Sequence, residues 1–386
     1  MKASNQYHPQ TVSHPGETLA EKLEEMGMSI KEFAVRTAKP EKTIFAIIKG
    51  ASSITPDMAV TFEDVTKIPA RFWMNLQCQY DECEARNKRE RQMESFLSWS
   101  RKFPFAPMAK LGWIPACKSN VEKAASLLAY FAVGSPTAWE NYYLNQQLKV
   151  AFRISLSRTK EPYAISAWLR RGEIQCKELS GNQEYSEKGL RDKLPEMKAL
   201  MTEHPEDTAS RLQALCLACG VKLVYTPCLP KAPINGSTRW INNTPCVQLS
   251  GRQKRHDVFW FSFFHEIGHI LLHGKKDIFL EDIEYDDKQM EKETEADAFA
   301  SRILLSPAEE KQIIDNGDYS VKAILKYAKQ FKTHPSIIVG RLQYKKIIPY
   351  RNNRQLVTAI NLFPGYDQKA HQAPRKQYIS NKLQNA

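Results

Sequence analysis

The sequence predicts a mainly α-helical chain with a small β-sheet, and three observations support this fold class. Apolar residues recur at helical spacing in five short segments between residues 15 and 80. Residues 100–220 again read as helices, for example NVEKAASLLAYF. After residue 220 the period shifts towards two in VKLVYT, STRWI and TPCVQLS, which lead into a long helix from about Asp257 to His273.

The first five helices follow from local signals. In GETLAEKLEEMGM, Leu19 and Leu23 lie four residues apart, so they share one helix face. SIKEFAVRT begins at a good N-cap residue, Ser29, and EKTIFAIIKG repeats isoleucine at helical spacing. Pro56 and Pro69 each suit the first turn of a further helix. Together these segments predict a compact five-helix domain.

The 386 residues are enough for two to three domains. We expect a flexible polar N-terminus (1–14), the five-helix domain (15–82), a helical linker or middle region (83–210), an α+β domain (211–345) and a basic tail (346–386). The opening MKASNQYHPQ has no apolar core of a signal peptide, and no apolar run approaches a membrane span. We therefore expect a cytoplasmic protein without a membrane partner.

The charge and the cysteines are unevenly distributed. The whole formal excess of +12 lies in residues 322–386, which hold 13 Lys and Arg and one acid, Asp367. This segment is either a solvated tail or a contact for nucleic acid or an acidic partner. The eight cysteines are too sparse for a disulfide scaffold. Cys216 and Cys219 form a CxxC in an apolar helical stretch, which favours helix packing over a zinc site.

Residues 15–80 fit a helix-turn-helix core in which helix 29–37 crosses the DNA backbone and helix 41–48 enters the major groove. Between Lys31 and Ser53 there are five bases and two acids. We expect the DNA contacts to come from Lys39, Lys42, Thr43, Lys49, Ser52 and Ser53. The alternative is a module used only for dimerisation or protein contact.

The predicted helix near residue 265 contains an HExxH motif. His265 and His269 lie four residues apart, so both imidazoles can bind one ion, most simply zinc. Buried in an apolar helix, these polar groups would be costly unless they coordinated something. Glu266 stands beside them and is the candidate general base that takes a proton from water and gives it to the leaving amine.

A third zinc ligand is expected from the downstream helix KETEADAFASRILLSP. Glu295 lies one turn before Phe299 and is our predicted ligand, on the apolar side of that helix. Glu291 and Glu293 are less well aligned by this criterion and are expected on the solvated surface. His273, one turn after His269, is a rival ligand, although it can also cap the end of its own helix.

The strands, FHEIGHILLHG, ETEADAFASRILLSP and the late THPSIIVGRL together resemble the ImmA/IrrE metallopeptidases over roughly residues 212–342. The resemblance implies a zincin-like fold, a His265, His269 and Glu295 zinc site with Glu266 as base, and helix-turn-helix repressors as peptide substrates.

PGETLAEKLEEMGMSIKEFAVRT, ITPDMA and RFWMNLQ resemble the HigA-type antitoxins of the XRE repressor class over about 65 residues. This second resemblance implies a homodimer that binds operator DNA, often paired with a ribonuclease toxin of the RelE/HigB kind. Pro40, Glu41 and Phe45 depart from the Ser-rich recognition helix of many such repressors.

The leading hypothesis is a DNA-binding regulator, antitoxin-like, that carries its own zinc endopeptidase and cleaves a repressor in cis or in trans. One alternative is a HigA-type repressor whose zincin fold only grips a protein partner. Another is a peptidase whose N-terminal module recognises protein. A small toxin gene next to the coding sequence and an inverted repeat upstream would favour operator binding.

Overall fold

The computed structural model describes residues 12–144, 161–181, 183–230, 232, 234–274, 279–280 and 287–363. The predictions for residues 1–11 of the N-terminus and for the tail from residue 364 lie outside this part. The chain divides into two compact units, Met1–Leu97 and Ser98–Ala386. The predicted fold class is confirmed, since helices dominate and the sheet is small. No helix in the described ranges is long and apolar enough to cross a bilayer.

The described part of the first unit consists of the five predicted helices. They are α1 (Pro15–Glu25), α2 (Ile30–Arg36), α3 (Glu41–Ile48), α4 (Pro56–Thr66) and α5 (Ala70–Ser95). Ser29 caps α2 as expected, because its hydroxyl accepts a hydrogen bond from the backbone N–H of Glu32 at 3.2 Å. Helix α5 continues beyond position 82, through the charge-rich stretch that follows it in the sequence.

An aromatic core holds these helices together. The ring of Phe62 lies 5.0 Å from that of Phe33 and 6.2 Å from that of Trp73, and all three side chains are fully buried. Ile44 and Ile47 join them from α3. The turn between α2 and α3 passes through Ala38, whose φ of 53° reverses the chain within four residues. The packing therefore fixes α3 by its isoleucine face and leaves the opposite face exposed.

The second unit begins with helices and ends with an α+β arrangement. Its helices are α6 (Leu97–Ser100), α7 (Phe105–Lys110), α8 (Asn120–Phe131), α9 (Pro136–Tyr143), α10 (Pro162–Glu178), α11 (Glu187–Glu203), α12 (Thr208–Ala218), α13 (His256–His273), α14 (Asp287–Leu304), α15 (Pro307–Asn316), α16 (Val321–Gln330) and α17 (Pro335–Tyr344). Its strands are β1 (Lys222–Tyr225), β2 (Gly236–Ile241), β3 (Thr244–Leu249) and β4 (Phe279–Leu280). The first three strands are those that the sequence predicts.

The four strands form one sheet in the order β1-β3-β2-β4. Strand β1 pairs with β3 in parallel, whereas β2 runs antiparallel to both β3 and β4. Because side chains alternate along a strand, β3 has side chains on both faces of the sheet and contacts the helices on each side. Val247 and Leu249 pack into the core that contains α13, while the amide of Gln248 donates a hydrogen bond to the Trp168 carbonyl of α10 at 2.8 Å. Helices α10 and α13 therefore cover opposite faces of the sheet.

Helix α13 is the central element of the second unit. Trp260, Phe263, Phe264 and Ile267 are fully buried and anchor it between the sheet, α14 and α17. The helix ends at Gly274, whose φ of 72° suits glycine, as the sequence predicts. This burial gives the middle of α13 a rigid position.

Candidate metal centre and candidate DNA-binding helix

The HExxH motif lies in the buried middle of α13. His265 and His269 are 2% and 1% exposed, and their Nε2 atoms are 2.9 Å apart. This follows from their spacing, since residues four apart lie one above the other on a helix. The predicted pairing of the two imidazoles is therefore present.

Glu293 of α14 approaches both imidazoles. Its Oε2 lies 3.3 Å from Nε2 of His265, and its Oε1 lies 3.5 Å from Nε2 of His269. Among the described residues, His265, His269 and Glu293 form a group whose ligand atoms all lie within 4.8 Å of one another, as a shared metal ion requires.

Glu295 does not occupy the position predicted for it. Its side chain is 64% exposed, against 16% for Glu293, and its Oε2 lies 2.9 Å from Nε2 of His273. The buried stripe of α14 runs through Ala296 and Ala300, and Glu293 continues that stripe at a spacing of three. Phe299, from which the prediction was made, is only partly buried and marks the edge of the stripe. The carboxylate that approaches both imidazoles is thus Glu293, whereas the predicted ligand Glu295 contacts His273.

Each imidazole of the pair is oriented by a hydrogen bond at its Nδ1 atom, on the side of the ring away from the other histidine. Nδ1 of His265 lies 2.9 Å from Oδ1 of Asp297, a carboxylate that the sequence reasoning missed. Asp297 follows Glu293 by four residues, so the same helical spacing could have revealed it. Because the carboxylate accepts the Nδ1 proton, the Nε2 lone pair of His265 faces Glu293. This arrangement is typical of metal-binding histidines.

His273 and Glu295 form a series of hydrogen bonds that begins at Nδ1 of His269. The Nδ1 atoms of His269 and His273 are 2.9 Å apart, and His273 in turn donates its Nε2 proton to Glu295. In this arrangement His269 donates from Nδ1 and keeps its Nε2 lone pair. Burial, together with the positive charges that His265, His273 and Lys292 would carry, lowers the pKa of His269. A neutral imidazole is the form that binds metal.

These donors fit a divalent cation. Two imidazole lone pairs and one carboxylate converge from two helices, and they repel one another unless a cation lies between them. Two histidines and one glutamate are also a known donor set of catalytic zinc. The rival ligand His273 directs its Nδ1 to His269 and its Nε2 to Glu295, so it supports the site from outside.

Glu266 lies against strand β2 and is fully buried. A Cβ atom at Gly236 would stand 2.5 Å from its Oε1, so the carboxylate occupies space that any other residue at position 236 would fill. The hydroxyl of Thr238 donates a hydrogen bond to the backbone carbonyl of Glu266 at 3.1 Å. Strand β2 thereby fixes Glu266 next to the histidine pair, a contact that the motif alone does not reveal.

The predicted DNA-contact residues lie around α3 but differ in exposure. Lys42, Lys49 and Ser53 are exposed, whereas Thr43 and Ser52 are half-buried. Lys39 is also half-buried and forms an ion pair with Asp57 of α4. Its charge is therefore already partly compensated.

Phe45 completes the exposed face of α3. Its side chain is 51% exposed, and the ammonium of Lys49 lies 5.7 Å from the centre of its ring. Lys42, Phe45 and Lys49 follow one another at spacings of three and four, so they form a single stripe opposite Ile44 and Ile47. Phe45 belongs to this surface although the sequence reasoning did not count it as a contact.

Two parts of the chain match known proteins. Residues 216–343 match the family model of Peptidase_M78, described as an IrrE N-terminal-like domain. The N-terminal region matches the uncharacterized HTH-type transcriptional regulator YddM of Escherichia coli K12, with 32% identity over 85 residues. That match spans 22% of this chain and 84% of YddM.

Solved structures of similar proteins also match the N-terminal region. An addiction module antidote protein of the HigA family from Coxiella burnetii is 38% identical, and the match covers 22% of this chain and 91% of that one, with a TM-score of 0.21. The Pseudomonas aeruginosa antitoxin HigA, solved with the higBA promoter, is 31% identical over 22% of this chain and 94% of that one, also with a TM-score of 0.21.

Proposed function

Because the chain belongs to the HTH-type transcriptional regulators, we propose that it is an antitoxin-like repressor that binds operator DNA and carries a zinc-dependent endopeptidase in its second unit. The observation that supports the enzyme most directly is the convergence of His265, His269 and Glu293, with Glu266 held beside them by β2. The match of residues 216–343 to the Peptidase_M78 model agrees with this proposal.

For DNA binding, α3 is the recognition helix. Its stripe of Lys42, Phe45 and Lys49 enters the major groove, where the ammonium groups contact phosphates and the ring contacts a thymine methyl group. Thr43, Ser52 and Ser53 lie near enough in sequence to add contacts, and Lys39 contributes less because it is paired with Asp57.

The regulator acts as a homodimer on a pseudo-palindromic operator, as helix-turn-helix proteins do. Val60 of α4 and Phe72 of α5 are exposed apolar side chains on two helices that pack together, and they are available to a second copy. A ribonuclease toxin of the RelE/HigB kind is the proposed protein partner of this unit.

In the second unit His265, His269 and Glu293 would hold zinc. Bound there, zinc supplies the Lewis acidity that lowers the pKa of a water molecule to about 7. Asp297 and His273 keep the two imidazoles in the tautomer that exposes Nε2. Glu266 accepts a proton from the attacking water and later delivers it to the leaving amine. No serine or cysteine nucleophile takes part in this reaction.

The proposed substrate is a helix-turn-helix repressor, either another repressor or the first unit of this protein. Cleavage would break the repressor chain and so relieve repression. The test incubates the zinc-loaded full-length protein with itself and with candidate repressors, and compares it with Glu266→Gln. We expect fragments with the wild type and intact chains with the variant. If the wild type also leaves every chain intact, the peptidase proposal is wrong.

One observation favours a second candidate function, in which the M78-like unit only binds a protein partner. Glu266 is fully buried, so its carboxylate does not face solvent in this structure. Under this alternative, Glu266→Gln would leave repression and its relief unchanged in cells. Loss of relief in that variant would favour the peptidase.

A further inference from the structure

Two buried thiols face each other between α10 and the sheet. Cys176 of α10 and Cys246 of β3 are 3% and 2% exposed. With Val224 they form a small hydrophobic cluster, so the two cysteine side chains pack together between the helix and the sheet. The proposed repressor and peptidase functions use neither cysteine.

The side chain of Gln248 reaches from β3 to helix α10. A Cβ atom at Gly172 would stand 2.1 Å from this side chain, so the Gln248 amide lies directly against the helix. Cys176 follows Gly172 by one helical turn, and Cys246 lies two residues before Gln248 on the same face of the strand. The two cysteines therefore lie in the same layer between α10 and the sheet as Gly172 and Gln248.

Two cations flank Cys246 within the sheet. Lys222 of β1 and Arg239 of β2 are its direct cross-strand partners, so all three side chains lie on the face that α10 covers. The ammonium of Lys222 donates a hydrogen bond to the Cys176 carbonyl at 2.7 Å, and the guanidinium of Arg239 donates one to the Leu169 carbonyl at 2.8 Å. The first contact keeps the Lys222 ammonium beside Cys176.

This environment makes the two thiols unequal. The neighbouring Cys176 thiol lowers the pKa of the Cys246 thiol, and Arg239 and Lys222 lower it further against the effect of burial. The neighbouring Cys246 thiol, together with burial, raises the pKa of Cys176. Cys246 is thus the more readily ionised thiol and the better nucleophile of the pair.

We propose that Cys176 and Cys246 are a redox-active pair that a peroxide converts into a disulfide. The Cys246 thiolate attacks one oxygen of hydrogen peroxide, and the other oxygen leaves as hydroxide and is protonated to water. The Cys246 sulfenic acid is then attacked by the Cys176 sulfur. The S–S bond forms, and the sulfenic oxygen leaves as a second water with the Cys176 proton. Two electrons pass from the thiols to the peroxide.

The pair lies near the surface of the second unit. Leu179 and Ile241 pack against it and are only partly buried, and the residues after Cys176 at the end of α10 are exposed. The bridge would tie α10 to β3, which pairs with the strand that holds Gly236 against Glu266. Oxidation would therefore stiffen the sheet directly behind the candidate metal centre.

The chain contains its own control pair. Cys216 and Cys219 are also buried neighbours, spaced three apart at the end of α12. Burial raises the pKa of both thiols, so neither is a good nucleophile. A reagent that only reaches cysteines in unfolded chains would modify this pair as readily as Cys176 and Cys246.

The test oxidises the full-length wild-type protein with a few equivalents of hydrogen peroxide, denatures it in N-ethylmaleimide and maps the peptides by mass spectrometry without reduction. We expect a peptide pair linked through Cys176 and Cys246, two hydrogens lighter than the reduced pair, while Cys216 and Cys219 carry the alkyl group. The proposal is overturned if Cys176 and Cys246 are alkylated as well, or if the control pair is oxidised to the same extent.

Single cysteine variants then show which of the two thiols is the nucleophile. In Cys176→Ser, dimedone should label a sulfenic acid at Cys246, and the added Lys222→Gln should slow that labelling. In Cys246→Ser, Cys176 should stay unlabelled. Equal labelling of Cys176 and Cys246 in the two single variants would contradict the assignment of Cys246 as nucleophile. The peptide map of the wild type needs no substitution, so it decides the proposal even if a variant fails to fold.

Discussion

Oε2 of Glu293 lies 3.3 Å from Nε2 of His265, although the two residues come from different helices. Glu293 reaches this position because it continues the buried stripe of α14, and His265 because it faces α14 from the buried middle of α13. The candidate metal centre thus depends on how two helices pack and not on the HExxH motif alone.

Asp297 should strengthen metal binding from behind His265. In Asp297→Ala the imidazole loses the acceptor that fixes its tautomer, and we expect zinc affinity to fall by about 10- to 100-fold. Competition with a chromophoric chelator measures this affinity. Glu291→Ala, which removes an exposed carboxylate of the same helix, is the matched control and should bind zinc as the wild type does. Equal zinc affinities of Asp297→Ala and Glu291→Ala would show that Asp297 does not support metal binding.

Gly236 should be essential for the position of Glu266. The Cβ atom of Gly236→Ala would stand 2.5 Å from Oε1 of Glu266 and force the carboxylate to move. We expect loss of peptide cleavage with zinc content unchanged, because the displaced group is not one of the three proposed ligands. Metal analysis and a cleavage assay on the same preparation measure both quantities. Full activity in this variant would show that Glu266 acts from another position.

Lys42 and Lys49 should carry much of the affinity for DNA. We expect Lys42→Ala with Lys49→Ala to weaken binding to the protein's own promoter and to reduce the salt slope by about 2, one for each lost phosphate contact. Fluorescence anisotropy at several salt concentrations gives both values. The control is Lys88→Ala with Arg91→Ala, which removes the same charge from the exposed side of α5. If the control weakens binding equally, α3 is not the DNA-reading helix.

Phe45 should contribute to base recognition and not to general affinity. We expect Phe45→Ala to lower operator affinity by about 1–3 kcal/mol, the range of one good base contact, while binding to unrelated DNA stays the same. Val35→Ala, which removes another exposed apolar side chain, should change neither. An equal loss of affinity for operator and unrelated DNA in Phe45→Ala would argue against base contact.

A cluster of three histidines should make the second unit sensitive to acid. The ring of His256 lies 4.0 Å from that of His334 and 4.8 Å from that of His204. Burial, reinforced by the neighbouring imidazoles, lowers the pKa of His256 to about 2 and that of His334 to about 4. In an unfolded chain both would titrate near 6.5.

As the pH falls below 6.5, the unfolded chain therefore binds protons before the folded one, so the free energy of unfolding should decrease between pH 6.5 and 4. Denaturant unfolding at pH 7.5 and 4.5 measures the decrease. His334→Gln removes one of the groups and should make it smaller. If the free energy of unfolding decreases by the same amount in the wild type and in His334→Gln, the histidine cluster does not cause the acid sensitivity.

Local patterns in the sequence were sufficient to predict the helices, the strands and the pairing of the two histidines. The spacing of His265 and His269 predicted their pairing, because four residues make one helical turn, and the alternation in TPCVQLS predicted β3. Ser29 likewise marked the start of α2 through its own capping hydrogen bond. Each of these features depends on neighbours a few residues away, so the sequence alone contains the information.

Features that depend on packing between distant segments could not be predicted in this way. The buried side of α14 is set by α13 and is centred on Ala296 and Ala300, so taking Phe299 as its centre led to Glu295 in place of Glu293. The contact of Gly236 with Glu266 likewise depends on how β2 lies against α13. Such contacts join residues that are far apart in the sequence, so no periodic pattern of residues reveals them.

The most direct test of the metal centre is the zinc content per chain after equal dialysis of the wild type, Glu293→Ala and Glu295→Ala. The two variants lose the same group from the same helix two residues apart, so each is the control for the other. We predict close to one zinc per chain in the wild type and in Glu295→Ala, and loss of zinc in Glu293→Ala. Retention in Glu293→Ala together with loss in Glu295→Ala would contradict the site described here.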